Sequence, residues 1–345
     1  MFVCGRKRNL IGLALISWSL LGCGLHSARI IKTERPGWIE QRPERQGHLY
    51  GVGFAGVYDK QSDVLDQARL QARYQLERQL IRSYKTGDQG RVEHGHNLSD
   101  AIYQLFTDNS GDVDLPGLDW QAQWHDERQN QIYVLAHLNR RFSAGLIAQQ
   151  IKQLDDRLSQ LVRPVSMDSR VQKRRVMQQL MLFAERYQKA ELFRWVSGSE
   201  EGKSLTVPLL QKQEQLLRIL NNTQICLQPG NSLPPSELRT IRQSVTQAGF
   251  TLAGDRICSG QEGVPPDLEL EFDLSIERQQ RDNHYQTDSD GIFDIKDNQG
   301  NVLLTFHHRH HLMADSSEQA EKLTVQELSS MLQQSVLKSF ILRKE

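Results

Sequence analysis

The 345-residue chain is 38% hydrophobic and 24% charged, with 42 basic and 42 acidic side chains that cancel. No basic stripe concentrates that charge, which excludes a nucleic-acid-binding surface. The length suffices for two or three domains, and beyond residue 22 no apolar stretch approaches the roughly 20 residues that cross a bilayer.

At the start, Arg6, Lys7 and Arg8 precede an apolar run over residues 10–21, broken by Ser17 and Ser19, and Gly22 stands directly before Cys23. A basic start, a short apolar run and a small residue at the cut make a secretory signal, and the run is too short to be a membrane span. Leu20-Leu21-Gly22-Cys23 resembles the lipobox of bacterial lipoproteins, although Leu21 is bulkier than that pattern usually places there. The resemblance implies that residues 1–22 are a signal peptide and that Cys23 is acylated, so that the chain's first partner is a membrane. An ordinary signal peptide with an incidental cysteine is the alternative. Without the leader the chain carries 39 basic against 42 acidic residues. Gly24 follows the cysteine where inner-membrane lipoproteins resemble one another in an Asp, which implies the outer membrane, periplasmic face.

Cysteine usage fits the same compartment. Cys4 leaves with the leader and Cys23 carries lipid, so Cys226 and Cys258 remain as one pair. Export to an oxidising space reads them as a disulfide, worth about 3–4 kcal/mol in the chain-entropy model. Two buried free thiols, or a metal pair with nearby histidines, are the alternatives.

Residues 23–46 lack apolar periodicity and read as a tether. A first unit spans 47–145. Its Leu49-Tyr50-Gly51-Val52-Gly53-Phe54-Ala55 is a glycine-broken strand, and Ser62 or Asp63 then caps a helix with Val64, Ala68, Ala72, Leu76 and Leu80 on one face. The two alanines let that face lie close against a sheet. Ser99 opens a short helix over 100–106, and residues 120–124 and 132–138 alternate around a polar turn at 127–130, a hairpin pattern.

A helical region spans 146–222: a helix from Phe142 stopped by Pro164, a second over 171–195 and a third over 207–220. Short loops favour antiparallel neighbours, hence a helical hairpin or small bundle. The last unit, 223–345, reads β-α-β-β-β-β-α, with Pro234-Pro235-Ser236-Glu237 opening its first helix and Gly249 closing it. Residues 267–276 alternate strongly, Asp297-Asn298-Gln299-Gly300 is a hairpin turn, and Ser316-Ser317-Glu318 starts a final helix. The fold class is therefore α+β: two small α+β domains joined by the helical region.

Pro36-Gly37-Trp38-Ile39, the Tyr50-Gly51-Val52-Gly53-Phe54-Ala55 strand, the Ala68/Ala72 helix and Ile132-Tyr133-Val134-Leu135-Ala136 together resemble the LPP-twenty family of bacterial lipoproteins. The resemblance covers about residues 36–150 and implies an exported, usually lipidated α+β domain without catalytic residues. Related domains occur in a flagellar basal-body assembly protein. The polar insert at 87–97 departs from the family's pattern. The last unit resembles, in element order and its Asn-Gln-Gly turn, the envelope domains at the amino end of TolB and in outer-membrane assembly lipoproteins; that implies contacts with envelope proteins.

Reactive chemistry finds little support. His307, His308, His310 and His311 lie at a strand end, with His308 and His310 on one face. Two imidazoles would hold zinc given a third ligand, whereas a solvated strand needs none. His94 and His96 fall in a polar loop. Asp288, Asp290 and Asp294 suggest calcium, but Gly291 arrives too early for an EF-hand loop. No nucleophile elbow, His-Glu-x-x-His helix or phosphate loop is present. The expectation is a non-catalytic scaffold or assembly factor of the envelope without cofactor or metal. The alternatives are a binding module that regulates a peptidoglycan or outer-membrane enzyme, and a murein hydrolase.

Overall fold

The computed structural model describes residues 34–57, 61–85, 98–109, 114–166, 168–199, 204–230, 233–254, 265–281 and 284–341. These residues form an α+β fold with a three-stranded antiparallel sheet, a five-stranded mixed sheet and helices packed on both.

The first sheet contains β1 (His48–Gly56), β2 (Leu118–Asp126) and β3 (Gln131–Asn139) in the order β1-β3-β2. The β2–β3 turn falls where the sequence places it. Asp126 fixes that turn by accepting from the amides of Arg128 and Gln129 at 3.0 and 3.1 Å. A helix, α2 (Gln61–Lys85), lies across the sheet and begins just ahead of the expected caps Ser62 and Asp63. Its stripe Val64, Ala68, Ala72, Leu76 and Leu80 is buried.

The glycines of β1 explain the closeness of this packing. A Cβ on Gly51 would lie 2.1 Å from the Ala72 carbonyl oxygen, and one on Gly53 2.1 Å from that of Ala68. Glycine on the strand and alanine on the helix are thus two halves of one contact.

The same helix also caps the free edge of β1. The side-chain oxygens of Gln71 and Gln75 accept from the amides of Phe54 and Val52 at 2.6 and 3.3 Å, and the Gln79 amide donates to the Tyr50 carbonyl at 2.8 Å. Four helical residues rise about 6 Å and two strand residues about 6.6 Å, so every fourth helix position meets every second strand position. The glutamines therefore act as a substitute strand, closing an edge that would otherwise invite another chain. Gln75→Leu should cost about 1 kcal/mol, the net worth of one such hydrogen bond. Urea denaturation would measure it, and an unchanged midpoint would mean that water serves β1 equally well.

The structure differs from the tether reading of 23–46 in its described part. Gly37–Glu40 form a helical turn, α1, in contact with β3, and the Arg35 guanidinium sits 6.0 Å from the Tyr133 ring centroid. This segment lies on the sheet because the face carrying Tyr50, Tyr133 and Leu135 is apolar as well, and these residues are buried. A sheet with two apolar faces needs cover on both sides.

Next come α3 (Leu98–Asn109), α4 (Arg140–Gln160), α5 (Ser169–Ser197) and α6 (Val207–Asn221). Asn139 caps α4 and Asp168 caps α5 through side-chain oxygens that accept first-turn amides, and Gly198 in the left-handed region ends α5. Although α3 lies in the 47–145 segment, its buried Leu98, Ala101, Ile102 and Leu105 join the core of the carboxy-terminal sheet. Tyr103 donates to Glu191 of α5 at 2.7 Å, and burial beside that carboxylate pushes the phenol up. The α4–α5 hairpin belongs to both cores. Ile147, Ile151, Ala190 and Val196 pack with the first sheet, while Leu158, Val176, Leu180 and Phe183 pack with the second.

The carboxy-terminal unit has the expected order: β4 (Gln224–Pro229), α7 (Pro235–Gln247), β5 (Thr251–Leu252), β6 (Leu268–Arg281), β7 (His284–Lys296), β8 (Val302–Ala314) and α8 (Ser317–Ile341). Its strands lie in the order β5-β4-β6-β7-β8. Alternation turns Leu268, Leu270, Phe272 and Leu274 towards the helices, where they are buried. Buried side chains are found all around α8 because it is covered by α3, α5 and α7 as well as by the sheet. In the β7–β8 turn, Asp297 accepts from the amides of Gln299 and Asn301 at 3.0 and 2.9 Å and pairs with Arg170 at 2.9 Å. Burial works against this carboxylate, yet those donors prevail and hold it below its ordinary range.

Candidate functional site

The β8 histidines alternate as expected, but their two faces differ. On the inner face His308 is buried against α8 and the sheet, with its Nε2 3.0 Å from Ser289 Oγ. His310 stacks on it at 6.2 Å and lies 3.6 Å from Glu327 of α8. Desolvation lowers the His308 pKa and His310 adds to that, against Glu327 and Asp290. On the outer face Arg309 pairs with Asp290 at 2.7 Å and His311 with Asp288 at 2.6 Å. Asp294 accepts from the Thr305 hydroxyl at 2.5 Å. The three β7 acids are therefore spent on cross-strand partners. Among the described residues, no three His, Cys, Asp or Glu side chains group as a metal site.

A serine hydrogen-bonded to a histidine invites comparison with a nucleophile and its base. Ser289 and His308 are only 3% and 6% exposed, however. A hydroxyl enclosed between a sheet and a helix cannot meet a substrate, so this pair is a satisfied polar contact of the interior.

A second polar site sits at the start of β1, where no sequence motif points to it. His48 Nδ1 and His137 Nε2 are 2.7 Å apart, their ring planes lie within 13° of each other with centroids 5.0 Å apart, and the Tyr50 ring centroid is 5.0 Å from that of His137. Register explains the grouping: His137 is the cross-strand partner of both Tyr50 and Asp119, and His48 is diagonal to it. Burial lowers the His137 pKa, and His48 and Arg45 add to this while Asp119 opposes it. The turn leading in is closed by the His48 amide donating to the Arg45 carbonyl at 3.0 Å, with Gly47 at φ +75° where a side chain would be strained. Beside the pair lies an open cavity of about 450 Å³ lined by Arg42, Glu44, Arg45, His48, Tyr50 and Gln79, with Pro43 and Gln46.

Of the cysteines, Cys226 is buried on β4 and disulfide-bonded. Cys258, its expected partner, lies outside the described residues, as do Cys23, His94 and His96. Two exposed apolar surfaces also stand out: Leu70 and Tyr74 on α2, and Val162 and Val165 in the α4–α5 turn.

No family model matches the chain, and neither does any curated protein. A structural alignment pairs 87% of this chain with 100% of a secreted protein, HP1454, from the human pathogen Helicobacter pylori, at 10% identity and a TM-score of 0.36.

Proposed function

We propose that the chain is an exported lipoprotein, anchored through acylated Cys23 at the periplasmic face of the outer membrane, that acts as a non-catalytic scaffold or assembly factor of the cell envelope. The observation that carries this reading is Leu20-Leu21-Gly22-Cys23 at the end of a basic-then-apolar leader. A disulfide at Cys226 supports it, since the cytosol keeps such thiols reduced. No helix among the described residues is long and apolar enough to cross a membrane, and two or more acyl chains make a stable anchor without one. The resemblance to LPP-twenty lipoproteins points the same way.

The non-catalytic part of the reading rests on how the polar groups are used. The His–Ser, Arg–Asp and His–Asp groups of the second sheet are committed to one another, while among the described residues apolar side chains are exposed on α2 and at the α4–α5 turn. Such surface suits protein contacts.

Cys23→Ser tests the anchor. Fractionation and palmitate labelling should show an uncut precursor or a soluble, unlabelled protein. Normal membrane retention with undiminished label would overturn the reading. Crosslinking followed by affinity capture tests the role: a scaffold should recover a complex of fixed stoichiometry, and a regulator a substoichiometric enzyme.

A further inference from the structure

The cavity beside His48 plays no part in the envelope reading, and its chemistry is independent of that reading. Its volume of about 450 Å³ gives room for a small molecule. Arg42 and Arg45 line it, and their side chains pair with no described residue. Both are exposed, whereas the partly or fully buried Arg73, Arg170 and Arg186 are each held by a carboxylate. The Gln79 amide donates to the carbonyls of Tyr50 and Gln75, so it is already in use. Arg42, Arg45, Glu44 and His48 remain as the charged and titratable residues of the lining, while His137 stands behind His48 and reaches the cavity only through it.

The pair has a useful property. In the neutral state one ring donates to the other, and one of the two remaining nitrogens carries a hydrogen. When His137 Nε2 donates to His48 Nδ1, that hydrogen sits on Nε2 of His48, the member of the pair that belongs to the cavity lining. An anion in the cavity favours this tautomer, so the bond between the rings presents a donor without either ring becoming charged. Arg side chains bind oxyanions through parallel N–H groups. Glu44 in the same wall disfavours a polyanion and accepts from a hydroxyl on the ligand.

We infer that this cavity binds a hydroxyl-bearing phosphate ester, with Arg42 and Arg45 opposing the phosphate charge, His48 donating to a phosphate oxygen and Glu44 accepting from the ligand hydroxyl. The same chemistry occurs in a soluble glycerol phosphate and in a phosphatidylglycerol headgroup.

The test tracks the histidine ring resonances of the full chain in neutral detergent by NMR, with His48→Asn to assign them. Glycerol phosphate is added in one arm and phosphatidylglycerol micelles in the other. Saturable shifts of His48 and His137 are expected, with an affinity about tenfold or more weaker in Arg42→Gln/Arg45→Gln, the loss that goes with charged hydrogen bonds. Saturation by both probes, by the soluble one alone or by the lipid alone supports the site and identifies the source of the phosphate. No saturable shift in either arm overturns the inference. A double variant that responds like the parent, or an equal response to sodium chloride at matched ionic strength, does the same.

Discussion

Gly53→Ala should destabilise the chain by about 3 kcal/mol or more, at the upper end of what overpacking costs. The added carbon would sit 2.1 Å from the Ala68 carbonyl oxygen and 2.3 Å from the Ala72 nitrogen. Both are backbone atoms of α2, so no side-chain rotation relieves the clash. The helix must lift off the sheet, and in lifting it loses the Gln71, Gln75 and Gln79 bonds to β1 along with the Ala68 and Ala72 contacts. Backbone strain is not the cause, because Gly53 does not adopt a left-handed conformation. Gly37→Ala serves as the control, since nothing lies within 4 Å of a Cβ there. Urea unfolding monitored by circular dichroism would measure both variants, and a Gly53→Ala midpoint equal to that of the control would sink the close-packing account.

Lys173→Met should cost a similar 3–5 kcal/mol, for a different reason. Lys173 of α5 and Asp267, just ahead of β6, form an ion pair whose side chains are 5% and 7% exposed. Asp267 also accepts from the Gln224 amide at 2.7 Å, and Lys173 donates to Ser169 at 2.8 Å. Removing the ammonium strands a carboxylate in a place water barely reaches, and the penalty is that of an uncompensated buried charge. Adding Asp267→Asn to Lys173→Met should recover most of the loss, because a neutral amide can still accept from Gln224. If the double variant is no more stable than Lys173→Met alone, the buried charge is not what the single change exposes.

Much of the fold was legible in the sequence wherever one face of an element is apolar and the other polar. The β6 alternation, the Asp297–Gly300 turn and the stripe from Val64 to Leu80 each arise from a single period, and the elements of the last unit appear in the expected order. Legibility failed where polar residues work inside the fold. Gln71, Gln75 and Gln79 look like a solvated helix face, although their four-residue spacing beside the Ala68/Ala72 stripe is a signal in hindsight. The place of α3 could not be read either, because an apolar stripe states that a helix is covered and not by what. Nor could the His48–His137 contact, which needs the register of three strands before two distant histidines become neighbours. The β8 row was half legible: alternation assigned the faces, while the burial of His308 depends on α8 lying over it.

The hairpin of α4 and α5 has a consequence for how such a chain can be inherited. Because each of its arms contributes side chains to both hydrophobic centres, and the Arg140 side chain is tied to the carbonyls of Val196 and Trp195 at 2.7 and 3.2 Å, no single cut leaves two self-sufficient pieces. Recombination that swaps one end for a foreign module would expose half of the other end's interior. Genes of this architecture should therefore travel whole, and fragments ending near residue 145 should fold only when both are made together.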